Sequence, residues 1–164
     1  MKIVKLVLIS AVILFLLITA LSLLLPSHVR ISRALDIPAP KEKILPLISD
    51  LKQWHKWNRF VIMGDSMLEF RLTSTDTTLS AGHVGIRLQK KDGDTIVTTW
   101  TQNNIQSSSH IVCLPGQGYT TVQWYFDFHL KWYPWEKFQS IIYDKQLGPE
   151  MEASLENLRS LSEQ

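Results

Sequence analysis

The sequence predicts an α+β protein in which an antiparallel sheet curves around a long C-terminal helix, preceded by one transmembrane helix. Three observations predict this class. The chain begins with a long, uncharged apolar run. Its middle contains segments in which apolar and polar residues alternate, the period of a strand with one buried face. From Trp135 onward, apolar residues recur instead at the spacing of a helix.

The apolar run extends from Leu6 to Leu25 and contains no charged residue. About twenty helical residues reach across the hydrocarbon core of a bilayer. A cleaved signal peptide is the alternative, because Ala20-Leu21-Ser22 has the form of a cleavage site. Three more leucines follow that site, which favours a continuing helix. We therefore divide the chain into an anchor, residues 1–26, and a domain, residues 27–164.

The charges beside this run favour one membrane orientation. Lys2 and Lys5 precede the run, and Arg30 and Arg33 follow it, so the two sides are nearly balanced under the positive-inside rule. A short basic N-terminus favours an amino end in the cytoplasm. The domain is then expected on the extracytoplasmic (periplasmic) side of the membrane.

Composition argues against nucleic acid as a partner. Of the 17 Lys and Arg residues, two (Lys2 and Lys5) lie in the anchor, which leaves 15 against 15 Asp and Glu in the domain. A formally neutral domain without clustered cations lacks the means to displace counterions from phosphates. The single cysteine, Cys113, is flanked by apolar residues and is interpreted as a buried structural thiol. No metal-ligand spacing joins it to the histidines, so no metal or cofactor is predicted.

The domain opens with a strand followed by two short helices. Residues 27–37 alternate, with Arg33 as the exception on the apolar face, and Pro38 ends the strand. A helix is predicted from Pro40 to about Ser49. A second short helix or turn covers residues 50–58, with Asp50 as its N-cap.

Strands fill the next part of the chain. Alternation predicts strands over residues 68–72 and 84–88, joined by a polar connection over 73–81. Asp92-Gly93 indicates a hairpin turn. Further strands are expected over 95–102 and 105–114.

The clearest strand is expected from Val122 to Trp132. Its buried face comprises Val122, Trp124, Phe126, Phe128, Leu130 and Trp132. Asp127 and His129 lie on the other face, which we expect to be solvated. Pro134 ends the sheet, and Gly148-Pro149 is expected to break or kink the helical region that follows. Met151, Leu155 and Leu158 mark the buried face of the last helix.

Three stretches carry a resemblance to a known family. Residues 29–42 resemble its opening strand and helix start, residues 48–60 its Trp-containing turn, and residues 147–158 its Gly-Pro helix start. With the sheet pattern between them, nearly all of residues 28–163 resembles the SRPBCC superfamily of START and birch-pollen-allergen-like proteins, specifically its polyketide cyclase/dehydrase branch. Arg59 departs from the proline that the family often has. The resemblance implies a helix-grip fold with a cavity for hydrophobic ligands between the sheet and the last helix.

Aromatic and apolar residues predicted near that cavity are the candidate ligand-binding residues. They are Trp57, Trp100, Trp124, Phe126, Phe128, Met151 and Leu155. The alternative is that they form a plain core, and this structural interpretation applies above all to Trp54 and Trp57. Trp132, Tyr133 and Trp135 form either an aromatic patch suited to a membrane interface or a sheet-to-helix contact.

Catalytic residues are not assigned. Ser107, Ser108, Ser109 and His110 lie together in sequence. A triad would require these groups to meet Asp127 and His129 at hydrogen-bond distance. Asp127 and His129, however, lie on a face predicted to point away from the cavity. Arg33 is the one ionisable residue that the pattern places on the inner face, unless a bulge turns it outward.

Three functional hypotheses follow. The favoured one is a membrane-tethered binding protein, not an enzyme, for a hydrophobic small molecule or lipid. The alternatives are an interaction module with a filled core and an enzyme of the cyclase or dehydratase type. The sequence indicates no particular protein partner.

Overall fold

The structure, a computed structural model, describes residues 2–66, 73–74, 77–81, 84–102 and 105–163. The first helix, α1, covers Lys2–Leu23. It is the one helix within those ranges that is long and apolar enough to cross a membrane, a test that a signal sequence also passes. It starts before the predicted apolar run because Lys2 and Lys5 join its first turns, and it ends two residues before Leu25.

The sheet is antiparallel and has seven strands in the described part of the chain. They are β1 (His28–Ile37), β2 (Thr73–Ser74), β3 (Thr78–Ala81), β4 (Val84–Asp92), β5 (Thr95–Gln102), β6 (Ile105–Pro115) and β7 (Thr120–His129). Their order is β1-β7-β6-β5-β4-β3-β2, so the first strand of the domain pairs with the last. This pairing sets Arg30 opposite Asp127 and Arg33 opposite Trp124.

The remaining helices are α2 (Lys41–Ser49), a 3₁₀ helix (Leu51–Lys56), α3 (Arg59–Ser66) and α4 (Pro134–Ser162). The predicted N-cap is confirmed, since the Asp50 carboxylate accepts a hydrogen bond from the backbone N–H of Lys52 at 2.9 Å. Helix α3 was not predicted. The Asn58 side-chain oxygen caps it by accepting from the backbone N–H of Phe60 at 3.1 Å.

Arg59, at the position where the family often has proline, makes a contact that proline could not make. It occupies the first position of α3, where proline is favoured. Its backbone N–H donates to the Ser154 hydroxyl on α4 at 2.9 Å. Proline lacks this donor, so Arg59 adds a hydrogen bond between α3 and α4 that the more frequent residue cannot make.

Two strand predictions are corrected. Strand β7 ends at His129, and Trp132 is 63% exposed instead of lying on the buried face. The physical reason is that β1, the strand that pairs with β7, begins only at His28. The Leu130 N–H donates to the Ser27 carbonyl at 2.8 Å, and beyond this bond β1 offers no residue for Trp132 to pair with. The predicted connection over residues 73–81 contains β2 and β3. The strand predicted over residues 68–72 lies outside the described residues.

Of the break or kink predicted at Gly148-Pro149, the break does not occur, because α4 is helical from Pro134 to Ser162. Arg33 explains why glycine stands there: a Cβ at Gly148 would overlap the Arg33 guanidinium. That guanidinium pairs with Asp144 at 3.0 Å and Glu152 at 2.6 Å, one turn on either side of the glycine. These ion pairs hold both sides of the Gly-Pro step against β1. The prediction that Arg33 lies on the inner face is confirmed, and no bulge turns it outward.

Candidate functional site

The seven residues predicted to bind a ligand lie in one layer between the sheet and α4. Trp100 comes from β5, and Trp124, Phe126 and Phe128 come from β7, while Met151 and Leu155 come from α4 and Trp57 follows the 3₁₀ helix. Their aromatic rings pack against one another across the layer: the ring centroids of Trp57 and Trp124 are 6.0 Å apart, and those of Trp100 and Phe126 are 5.1 Å apart. Met151 and Leu155 belong to the same packed cluster. Their use by a ligand stays a prediction.

These rings are part of a larger group that we call the aromatic column. It consists of Trp54, Trp57, Phe60, Trp100, Trp124, Phe126, Phe128 and Tyr143.

Sequence reasoning missed two members of the column. Phe60 lies 5.5 Å from Trp100, and Tyr143 lies 4.9 Å from Phe128, measured between ring centroids. Asn58 as an N-cap could have signalled α3 and hence Phe60. Tyr143 precedes Met151 by eight residues, so the two lie on nearby sides of one continuous helix. The break expected at Gly148 separated them and kept Tyr143 out of the predicted site.

Burial divides the column into a closed end and an open end. Trp54, Trp57 and Trp124 have no exposed surface, so protein atoms cover them on every side. Trp100 is 6% and Phe126 is 3% exposed. Phe60 is half-buried and packs on Trp100 and Trp124. Phe128 and Tyr143 are half-buried, pack on each other and reach the surface as the open end. A ligand would therefore meet the column first at this end.

The indole N–H groups of the column are all bonded inside the protein. Trp54 and Trp57 donate to the carbonyls of Ile48 and Leu47 at 2.9 and 3.0 Å, and Trp100 and Trp124 donate to the hydroxyls of Thr98 and Ser109 at 3.1 and 2.7 Å. Buried tryptophans normally find such partners. The four indoles thus have no spare hydrogen-bond donor, which suits an apolar ligand over a polar one.

A polar cluster on the outer face of the sheet corrects one prediction. Asp127 lies on that face as expected, but it is only 8% exposed. Arg30, its partner across β1, donates two hydrogen bonds to it at 2.7 and 2.9 Å. These bonds hold the pKa of the Asp127 carboxyl below its ordinary value, although burial opposes them. Arg30 in turn lies 4.3 Å above the Tyr125 ring. His129 is exposed, as predicted.

The same cluster lacks the geometry of a catalytic triad. The Ser108 hydroxyl lies 3.0 Å from His110 Nε2, and an Asp127 oxygen lies 4.0 Å from that same nitrogen. A triad needs the serine and the carboxylate on opposite ring nitrogens. Asp127 is moreover engaged by Arg30. The cluster is therefore a structural ion-pair network on the sheet surface.

Two further candidates are engaged or buried. The hydrogen bond to Glu152 raises the pKa of Arg33, and its two carboxylate partners, Asp144 and Glu152, tie β1 to α4. Cys113 is fully buried, and burial raises the pKa of its thiol to about 11. A protonated, covered thiol is a poor nucleophile, in agreement with the structural role predicted for it.

Comparison with known proteins identifies the family to which the domain is similar. The family model described as "Polyketide cyclase / dehydrase and lipid transport" matches residues 28–163. No curated protein matches the chain.

Three solved structures illustrate the likeness. A START superfamily protein from Mycobacterium smegmatis is 17% identical with a TM-score of 0.55, over 83% of this chain and 97% of that one. Truncated norcoclaurine synthase from Thalictrum flavum is 11% identical with a TM-score of 0.57, over 82% and 92%. DynU16 from the dynemicin biosynthetic locus is 13% identical with a TM-score of 0.55, over 80% of this chain but 46% of that one. At such identities the likeness establishes the helix-grip fold, and the family match completes the assignment: the chain belongs to the polyketide cyclase/dehydrase and lipid transport family.

Proposed function

We propose that this chain is a membrane-tethered binding protein for a hydrophobic small molecule or lipid. The observation that carries the proposal is the aromatic column, which is apolar, has its indole donors satisfied and reaches the surface at one end. The family description, which includes lipid transport, supports the same ligand class. In this proposal Phe126, Phe128 and Trp100 contact the ligand directly. Trp57, Trp124, Met151 and Leu155 form the floor and the helix wall of the site.

The tether in this proposal is α1, retained and not cleaved. Two observations support retention. Ser22, the last residue of the possible cleavage site, is fully buried, and α1 contacts α4 near its end. Lys137 is 4% exposed, and its ammonium donates to the Leu25 carbonyl at 2.9 Å. The basic N-terminus supports placing the domain on the extracytoplasmic side.

The test uses the full chain purified from cells and reconstituted into nanodiscs made of one synthetic lipid. Extraction followed by mass spectrometry then counts any other hydrophobic molecule per chain. We expect a stoichiometric hydrophobe with the native chain and its loss in Phe128→Asp, which puts a charge at the open end of the column. Tyr119→Asp is the control, because Tyr119 is 43% exposed on the β6–β7 hairpin.

A native chain without bound hydrophobe, and without uptake from a lipid extract, would contradict the binding proposal. That result would favour the interaction module with a filled core. A specific observation supports this second candidate: Trp57, Trp124 and Met151 have no exposed surface at all. It predicts that the melting temperature does not change when a lipid extract is added.

The cyclase or dehydratase alternative has less support from the site. It requires an ionisable group on the inner face that is free to act on a substrate. Arg33, the residue that the sequence singles out there, is held by Asp144 and Glu152.

A further inference from the structure

The start of α4 carries an unusual concentration of exposed apolar side chains. Outside α1, nine large hydrophobic side chains are exposed in the described part of the chain, and five of them lie between residues 132 and 142. They are Trp132 (63%), Trp135 (62%), Phe138 (39%), Ile141 (58%) and Ile142 (50%). We call these five the apolar arc. Contiguous exposed apolar surface of this kind marks an interaction site.

The helical members of the apolar arc share one side of α4. At 3.6 residues per turn, Trp135, Phe138, Ile141 and Ile142 fall within about 120° of the helix circumference. The side chains at the two edges of this face contact the rest of the protein: Tyr143 lies against Phe128, and Lys137 bonds Leu25. The arc is therefore a face of α4 that the described residues leave uncovered.

The position of α1 indicates what covers this face. The Lys137 ammonium lies 2.9 Å from the Leu25 carbonyl, so the start of α4 is beside the end of the membrane-length helix. Leu24, at that end, is 82% exposed. Exposed apolar side chains are thus present both just after α1 and on the apolar arc of the helix beside it.

The chemistry of the surrounding residues suits a bilayer surface better than a protein partner. Trp132, Tyr133 and Trp135 form a stack with neighbouring ring centroids 4.8 Å apart. Amphipathic aromatic rings of this kind concentrate at the membrane–water interface. Lys131 and Lys145, both exposed, flank the arc and can reach lipid phosphates while their stems stay among apolar groups.

We propose that the apolar arc docks into the interface of the same membrane that α1 spans, so that the domain lies on the bilayer instead of hanging from a free tether. This inference rests on the proposed membrane tether. It also deepens the proposed function, because Tyr143, at the open end of the aromatic column, directly follows Ile142 of the arc. The column then opens beside the lipid surface, and a hydrophobic ligand would pass between bilayer and protein without crossing water.

The experiment measures depth in the membrane with a nitroxide label on the full chain, one copy per nanodisc. Phe138→Cys places the label on the arc, and Tyr119→Cys is the matched control. The two aromatic side chains are 39% and 43% exposed. Tyr119 lies beyond the far end of β7, ten residues or about 30 Å from His129. Cys113 is fully buried and stays unlabelled.

The measured quantity is the collision rate of the nitroxide with oxygen, which partitions into lipid, relative to its collision rate with a water-soluble nickel chelate. We expect an oxygen-to-nickel ratio several-fold higher at position 138 than at 119. A water-like ratio at both positions would overturn the docking proposal. Protection of position 138 from both agents would overturn it too, because it indicates burial against protein.

A separate measurement shows whether the proposed tether has failed. The intact mass of the chain, taken before labelling, shows whether α1 is still attached. Loss of the first 22 residues would overturn the tether and the docking proposal together, whereas an intact chain with a water-like arc overturns docking alone.

Discussion

At the scale of single residues, Asp127 shows how a polar strand face can become buried. Arg30 donates to its carboxylate and lies over the Tyr125 ring, so a residue expected in solvent is enclosed by its neighbours on the same face. Alternation along β7 correctly predicts which face Asp127 occupies. It does not predict burial, because Arg30, which binds the carboxylate, stands on a strand about a hundred residues earlier in the chain and is brought opposite Asp127 by the register of β1 and β7.

Asp127→Asn is expected to lower the free energy of unfolding by about 1–2 kcal/mol at neutral pH. A hydrogen bond between buried partners, one of them charged, would contribute somewhat more to the free energy of unfolding. Here the Arg30 side chain is 53% exposed, so solvent screens the interaction and the expected loss is smaller. The folded-state pKa of Asp127 lies below the ordinary 3.8. The carboxylate therefore stabilises the fold above that value, and this contribution disappears as pH falls through the lower, folded-state pKa.

Urea unfolding of the full chain in detergent, followed by tryptophan fluorescence at pH 7 and pH 3, checks this expectation. The gap between the native chain and Asp127→Asn should narrow at the lower pH. Asp92→Asn is the control: Lys90 also lowers the pKa of Asp92, but both side chains are about two-thirds exposed, so we expect little change. An equal gap at both pH values would show that the Asp127 charge is not what stabilises the fold.

At the scale of elements, the contact between β1 and α4 depends on Gly148 and Arg33 together. Gly148→Ala should alter stability by less than about 1 kcal/mol, because the gain in helix propensity offsets the ion pairs lost when the guanidinium moves aside. In an Arg33→Met background the obstruction is gone. The same alanine should then stabilise the chain by about 0.5–1 kcal/mol.

A double-mutant cycle of unfolding free energies measures this coupling. If alanine at position 148 has the same effect with and without Arg33, the two residues are independent and our account of the glycine is wrong. Ser160→Ala, at an exposed position near the end of α4, controls for general effects of helix propensity.

How well each element could be predicted depends on where its determinants lie. The bounds of β5, Thr95–Gln102, are those predicted, because alternating β-branched residues between turn signals suffice to define it. The hairpin before it is confirmed by Gly93, whose φ is 55°. The continuity of α4 could not be predicted, since Gly148-Pro149 reads locally as a stop and only Arg33 on a distant strand explains the glycine. The seven candidate ligand residues do converge, but Phe60 required recognition of α3.

At the scale of the whole molecule, three features coincide at one end of the domain. The end of α1, the apolar arc and the open end of the aromatic column all lie near the start of α4, linked by Lys137 to Leu25 and by Tyr143 to Phe128. The hairpin with Tyr119 lies at the opposite end of β7. A binding protein that exchanges ligand with a membrane needs this polarity, whereas a filled interaction module has no need of it.

Membrane sidedness is the last expectation that concerns the whole chain. With an epitope tag after Gln164, protease added to intact spheroplasts should remove the tag without lysis, because the amino group, Lys2 and Lys5 favour a cytoplasmic N-terminus. Replacing both lysines with glutamate leaves Arg30 and Arg33 as the nearest cations, so a substantial fraction of tags should become protected. The comparison isolates the flank charges, since neither lysine contacts the folded domain's core cluster. If the native tag is cut only after detergent lysis, the domain faces the cytoplasm, and a ligand that it exchanges with lipid must come from the inner leaflet.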